Sequence, residues 1–151
     1  MHYPRLVRAL LLAGATPEQA DDVAQDAFAR TFGHWRRVRR GTNPPGYAYR
    51  VAFRQLRRRG GLPTTPLDDA AVVASGLEEG AATRVDLEAA LQAMPPRRRA
   101  CAVLCLCLGL TPIEAGETLG IAAGTVRKQL DLARTSLRHG LAVRELRAEG
   151  S

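Results

Sequence analysis

TPIEAGETLGIAAGTVRKQLDLARTSLRHGL, residues 111–141, is the stretch that decides the fold. It predicts two helices joined by a tight turn, the second longer and more basic. Thr111 can cap the first helix, Pro112 suits a first helical position where no N–H is needed, and Glu114 completes a capping box. Ile113, Ala115 and Leu119 are expected to form the buried side. Gly120 supplies the left-handed residue that ends many helices, since it has no Cβ to oppose a positive φ. Ile121, Val126, Leu130, Ala133, Leu137 and Leu141 then recur as the apolar stripe of one amphipathic helix. Arg127, Lys128, Gln129, Asp131 and Arg134 lie off that stripe and are expected to face outward. A short helix, a glycine turn and a helix with a basic N-terminal half make a helix-turn-helix pattern, whose second helix fits the major groove. An ordinary helical hairpin with a charged solvent face is the competing reading. Cap, turn and stripe agree, which favours DNA recognition.

The chain has 151 residues, enough for one domain or two small ones. It is 46% apolar and 25% charged, as soluble globular proteins are. A net charge of +7 points toward nucleic acid or an anionic surface. Arginine supplies nearly all of it, and Lys128 is the only lysine. No apolar run is long enough to span a bilayer, and the N-terminus lacks the apolar core and small-residue cleavage site of a secretory leader, so a cytoplasmic protein with no membrane insertion is expected. Cys101, Cys105 and Cys107 all lie in RRRACAVLCLCLGL, residues 97–110. Cys101 and Cys105 are one helical turn apart, which raises a metal or redox role. His2, His34 and His139 are far off in sequence and the cysteine count is odd, so buried small hydrophobes are the better explanation. No nucleophile has a base partner at motif spacing, so no catalytic residue, metal or cofactor is expected.

In chain order, YPRLVRALLL (residues 3–12) predicts a helix buried on one side. Thr16-Pro17-Glu18-Gln19 is a second capping box. Ala20, Val23, Ala24, Ala27, Phe28, Thr31, Trp35 and Val38 follow a helical period, predicting one long helix. Asp22, Gln25, Asp26 and Ala29 form a second stripe at i, i+3, i+4 and i+7, acidic and small. It reads equally as a protein-docking surface or as a solvated face with acids near a helix N-terminus. Residues 36–46 are a basic turn, and Asn43 before Pro44 and Pro45 marks the next helix start. That helix sets Arg50, Arg54, Arg57 and Arg58 along one cationic edge, with Tyr49, Phe53 and Leu56 on an apolar side. Phe53 is expected in the core and Tyr47 nearer the surface; arginines interleaved with aromatics suit phosphates and unpaired bases.

Residues 1–59 carry 12 arginines against 4 acids, whereas residues 60–84 carry one arginine against 4 acids. Rich in proline, glycine and alanine, the second segment reads as a flexible acidic linker. The expected architecture is therefore all-α: two small helical domains, 1–59 and 85–143, with a tail over 144–151. In the second domain Val85, Leu87, Leu91 and Met94 share one helix, Arg97–Leu108 is a core helix ended by Gly109, and 142–151 reads as a fraying helix end.

ADDVAQDAFARTFGHWRRV (20–38) followed by NPPGYAYRVAFRQLRRR (43–59) resembles region 2 of an extracytoplasmic-function (ECF, group IV) sigma factor of the sigma-70 family, of actinobacterial type. LEAALQAMPPRRRACAVLCLCLGLTPIEAGETLGIAAGTVRKQLDLARTSLRHGL (87–141) resembles region 4 of the same family. The match covers nearly the whole chain in the family's order and spacing. The resemblance implies a non-enzymatic factor that binds core RNA polymerase, through the β′ clamp helices and the β subunit, and directs promoter-specific initiation. It implies that Asp22, Gln25 and Asp26 dock on the clamp helices, which decides the acidic stripe in favour of docking. Asn43, Tyr47, Arg50, Arg54 and Arg57 would read the opened −10 element, and Thr125, Arg127, Lys128, Asp131 and Arg134 the −35 duplex. An anti-sigma factor is the further partner implied. A helix-turn-helix regulator, or a degenerate sigma acting as an interaction protein, is the alternative.

The chain departs from the family at several points. The family's usual first helix begins several residues earlier, so either a shortened first helix or a differently packed one is expected here. Ala122 stands where a serine often caps the recognition helix, and alanine there costs about 1 kcal/mol. Gln129 and Asp131 replace positions that are often basic or polar; an acid weakens phosphate affinity but can accept a bond from cytosine.

Overall fold

The computed structural model describes residues 2–41, 43–60 and 83–149; over 83–86 and 140–149 it describes the backbone alone. The linker predicted over 60–84 lies almost wholly outside the described residues. Among those described, every regular element is helical.

The first unit is α1 (His2–Leu12), α2 (Pro17–Gly33), α3 (Trp35–Val38) and α4 (Pro44–Arg58). Thr16 caps α2 as its sequence requires: its Oγ1 accepts from the Gln19 amide at 3.2 Å, and the Gln19 side chain accepts from the Thr16 amide at 3.0 Å. Asn43 caps α4, its Oδ1 accepting from the Gly46 amide at 3.2 Å. Ala20, Val23, Ala24 and Ala27 are buried on α2, and Ala48, Tyr49, Ala52, Phe53 and Leu56 on α4. Leu6, Ala9 and Leu10 of α1 close the core.

The predicted single helix through Val38 is interrupted. α2 ends at Gly33, and His34 leaves the helical region at φ −113° and ψ 22° before α3 restarts. Glycine pays the largest backbone entropy in a helix interior, so the chain breaks there. Trp35, expected on the apolar stripe, consequently swings outward and is 45% exposed.

The second unit is α5 (Thr83–Gln92), α6 (Pro96–Ala102), a π-helical turn (Val103–Cys107), α7 (Pro112–Leu119) and α8 (Ala123–Glu149). Arg99 satisfies the end of α5, donating to the carbonyls of Leu91, Gln92 and Met94 at 2.9, 3.1 and 3.0 Å. The helix expected over 97–108 is thus α-helical only to Ala102, with the Leu108 amide reaching back to the Val103 carbonyl at 3.1 Å. Thr111 and Glu114 form the predicted capping box, and Gly120 takes φ 73°. The helical backbone of α8 continues to Glu149, so most of the stretch expected to fray is regular.

Two details of the helix-turn-helix differ from expectation. Ile113 is 57% exposed, while Ala115, Gly116 and Thr118 are buried. Residues two apart on a helix point to different sides, so Ile113 cannot share a face with Ala115. Gln129 is buried, because it falls three residues after Val126 and four before Ala133, inside the apolar face; its Oε1 accepts from Arg98 Nε at 3.2 Å.

The units touch. Arg5 Nη2 donates to the Cys107 carbonyl at 2.6 Å, Arg8 pairs with Glu88 at 3.6 Å, and Arg50 lies 4.0 Å from Glu114. One continuous apolar cluster runs from Leu6 and Leu10 through Leu91, Met94 and Leu104 to Val126 and Leu130.

Two glycine variants test the helix-turn-helix packing. A Cβ at Gly116 would lie 2.6 Å from the Ile121 carbonyl oxygen, whereas one at Gly124 meets nothing within 4 Å. In urea unfolding, Gly116→Ala is expected to destabilise by about 1–3 kcal/mol and Gly124→Ala to stabilise by roughly 0.5 kcal/mol.

Candidate nucleic-acid interface

Helical spacing gives α4 three distinct sides. Tyr49, Ala52, Phe53 and Leu56 face the core; Tyr47, Val51, Arg54, Gln55 and Arg58 face the C-terminal end of α2; Arg50 and Arg57 face α7. The second side and α2 enclose an open cleft of about 170 Å³, completed by Arg30 and His34. Three guanidinium groups and an imidazole therefore surround one tyrosine and one aliphatic side chain. Such a cleft attracts anions while offering an apolar slot for a planar group.

Gln55 was not foreseen as part of a site. It is only 7% exposed, and neither its Nε2 nor its Oε1 has a hydrogen-bond partner. An amide buried in this way costs about 1–3 kcal/mol, so its presence against a cationic cleft needs a reason. Its only signal in the sequence was position, since Gln55 lies four residues after Val51 and one before the buried Leu56.

Of the five residues predicted to read unpaired DNA, only Tyr47 and Arg54 line this cleft. Asn43 is occupied by its capping bond. Arg50 approaches Glu114 of α7, and the Arg57 guanidinium lies against Gly120, where a Cβ would collide with it.

The acidic stripe on α2 is on the surface, as its spacing requires. Asp22 pairs with Arg59, the Gln25 amide donates to Asp21 at 3.0 Å, and Asp26 pairs with Arg30 at 3.2 Å. Tyr3 anchors the stripe from α1, donating to Asp21 at 2.7 Å; the hydrogen bond to that carboxylate, together with burial, raises the Tyr3 hydroxyl above its usual range.

On α8, Arg127, Lys128, Asp131 and Arg134 share one exposed side, with Thr125 half-buried beside the turn. Asp131 and Arg134 are 3.6 Å apart, which takes up part of Arg134's charge. Arg127 and Lys128 stand nearest the turn, where a recognition helix meets base edges and phosphates.

The cysteines are buried or half-buried. Burial pushes the Cys101 thiol up to about 12 and the Cys105 thiol to about 11, and raises that of Cys107. At neutral pH all three are protonated and poor nucleophiles. Among the described residues no group of three or more His, Cys, Asp or Glu could hold a metal ion, and no helix is long and apolar enough to cross a membrane.

Residues 1–59 match the family model for sigma-70 region 2, and residues 84–137 that for sigma-70 region 4. The chain is 32% identical over 152 residues to the ECF RNA polymerase sigma factor SigE of Mycolicibacterium smegmatis, covering 93% of this chain and 59% of that one. It thus spans about three fifths of the length of that relative. It is 33% identical over 138 residues to the RNA polymerase sigma-E factor of Streptomyces antibioticus, covering 87% of this chain and 76% of that one. In fold it is similar to the sigma factor RpoE from Bartonella quintana, solved in complex with the anti-sigma factor NepR, with a TM-score of 0.63, 20% identity and 94% and 92% of the two chains covered.

The orphaned amide yields a stability prediction. Gln55→Leu removes an unpartnered buried amide at nearly constant volume, so it is expected to raise the unfolding free energy of the unbound chain by about 1 kcal/mol. The urea midpoint reads this directly; a loss of stability would mean that Gln55 is satisfied in solution.

Proposed function

The chain belongs to the ECF sigma factors of the sigma-70 family, and we propose that it binds core RNA polymerase and directs initiation at promoters with two DNA-reading surfaces. The observation that carries this reading is the coexistence, in one chain, of an exposed acidic ridge, a cationic cleft and a separate basic helix face. Residues 1–59 act as the polymerase-binding and −10-reading unit and residues 85–143 as the −35-reading unit, joined through 60–84.

Asp22, Gln25 and Asp26 dock on the β′ clamp helices. Their acidity in a protein of net charge +7 keeps phosphates off this ridge while favouring a basic partner. Unpaired −10 bases enter the cleft, where Tyr47 stacks, Arg54 and Arg58 hold phosphates, and Gln55 bonds a base edge. Unstacking a base costs a few kcal/mol, which these contacts and the newly satisfied amide offset. Arg127 and Lys128 read the −35 duplex with Thr125, Asp131 and Arg134 around them. The chain itself makes and breaks no bond.

Arg50 and Arg57 add to −10 contacts only when α4 parts from α7. An anti-sigma factor that holds the two units together would therefore withdraw both arginines from DNA. The Bartonella quintana sigma factor RpoE was solved in complex with an anti-sigma factor, NepR.

Run-off transcription with core polymerase and a promoter selected by this chain tests the reading. A specific transcript is expected, and none would favour an interaction protein. Arg127→Ala and Lys128→Ala are each expected to lower −35 duplex affinity about 5–50-fold at base-contacting positions, or to reduce the salt slope by about one where the contact is to phosphate.

A further inference from the structure

The acidic ridge on α2 does not end where its charges end. Asp22, Gln25, Ala29 and Phe32 stand at i, i+3, i+7 and i+10, so one side of the helix carries all four over roughly 15 Å. Phe32 is 68% exposed. Trp35, turned outward by the break at His34, is 45% exposed and lies beside it, with ring centroids 6.2 Å apart and planes tilted by 45°. The other aromatics of this unit are placed differently: Phe53 and Tyr49 are buried, Phe28 packs edge-on against Tyr3 at 5.4 Å, and Tyr47 lines the cleft. Two large rings in solvent at one end of a polar ridge have no role in the core of this chain.

We propose that Phe32 and Trp35 are the apolar anchor of the docking ridge, so that the partner it fits is a helical element with basic side chains facing Asp22 and Asp26 and an apolar side chain seated between the two rings. This rests on the reading of that ridge as the polymerase-binding surface, and it adds residues and a chemistry which that reading does not contain. Interfaces draw most of their affinity from a few aromatic or arginine anchors, and charged pairs around them set orientation and on-rate more than affinity. Here the carboxylates are partly spent within the chain, on Arg59 and Arg30, which leaves the rings as the larger reserve of unburied surface. Arg30 and His34, which line the cleft, stand two residues either side of Phe32 and so point away from it, and Asp22 and Asp26 on the ridge oppose phosphate. The exposed Arg36 and Arg37 beside Trp35 favour it, so a nucleic acid is the competitor that the test must separate.

Trp35 is the only tryptophan, which gives the patch its own reporter. The full chain is labelled with 5-hydroxytryptophan, which can be excited apart from the tryptophans of polymerase, and its quenching by acrylamide is measured alone, with actinobacterial core RNA polymerase, and with a single-stranded oligonucleotide. Protection by polymerase and not by the oligonucleotide is expected. Phe32→Ala is expected to weaken holoenzyme assembly roughly tenfold or more, with an unchanged thermal melt because the ring is already in solvent. Asp22→Arg separates the two levels of inference. Wild-type assembly by Asp22→Arg would overturn the reading of the ridge itself. Failed assembly by Asp22→Arg, with Phe32→Ala assembling normally or residue 35 still fully quenchable in the complex, would leave the ridge standing and overturn the anchor. Protection by the oligonucleotide alone would overturn it as well.

Discussion

Alanine on the facing sides of α2 and α4 is the constraint on which the rest of the first unit depends. Ala20, Ala24 and Ala27 on one helix, and Ala48 and Ala52 on the other, are all buried. Small side chains at a helix contact allow the axes to lie close together. Close axes fix the rotation of both helices, because a turn of either would bring Phe53 or Val23 out of the core. That rotation sends the acidic ridge of α2 to solvent, and it turns Tyr47, Arg54 and Arg58 toward Arg30 and His34 to make the cleft. Substituting a larger residue for Ala24 or Ala52 would be felt at both surfaces, although neither alanine touches either one.

The contact between the two units is of another kind. Arg50 and Glu114 lie 4.0 Å apart with side chains 29% and 26% exposed, a geometry worth about 0–1 kcal/mol. Arg8 and Glu88 are similarly wet. Cohesion comes instead from the apolar cluster that runs continuously through both units. Opening that contact exposes leucines, while closing it keeps Arg50 beside Glu114 and Arg57 against Gly120. The two units thus have a compact arrangement built from ordinary hydrophobic burial.

Capping chemistry made most of the fold legible in the sequence. Thr16, Asn43 and Thr111 announced three helix starts through residues that can only serve the first turn, and Gly120 announced the turn between α7 and α8. Failures arose where the register of a face, not the presence of a helix, was at issue. Hydrophobicity alone puts Ile113 inside and Gln129 outside, whereas the 100° step between neighbours turns Ile113 to solvent and Gln129 into the apolar face. Trp35 falls on the buried stripe only if the helix runs through Gly33, and α2 ends there. The basic side of α8 was readable because its charges stand opposite an apolar stripe. The cleft was not, since it needs Arg30 and His34 from one helix beside Gln55 from another, a juxtaposition that only tertiary packing sets.

We propose that one chain presents three surfaces to three different targets at once. Site-specific photocrosslinking within the promoter open complex tests it most directly, with a benzophenone side chain placed in turn at Gln25, Arg54 and Lys128. Position 25 should crosslink to polymerase alone, position 54 to the unpaired non-template strand, and position 128 to upstream duplex. Crosslinks from position 25 to DNA, or from positions 54 and 128 to polymerase with none to DNA, would contradict it.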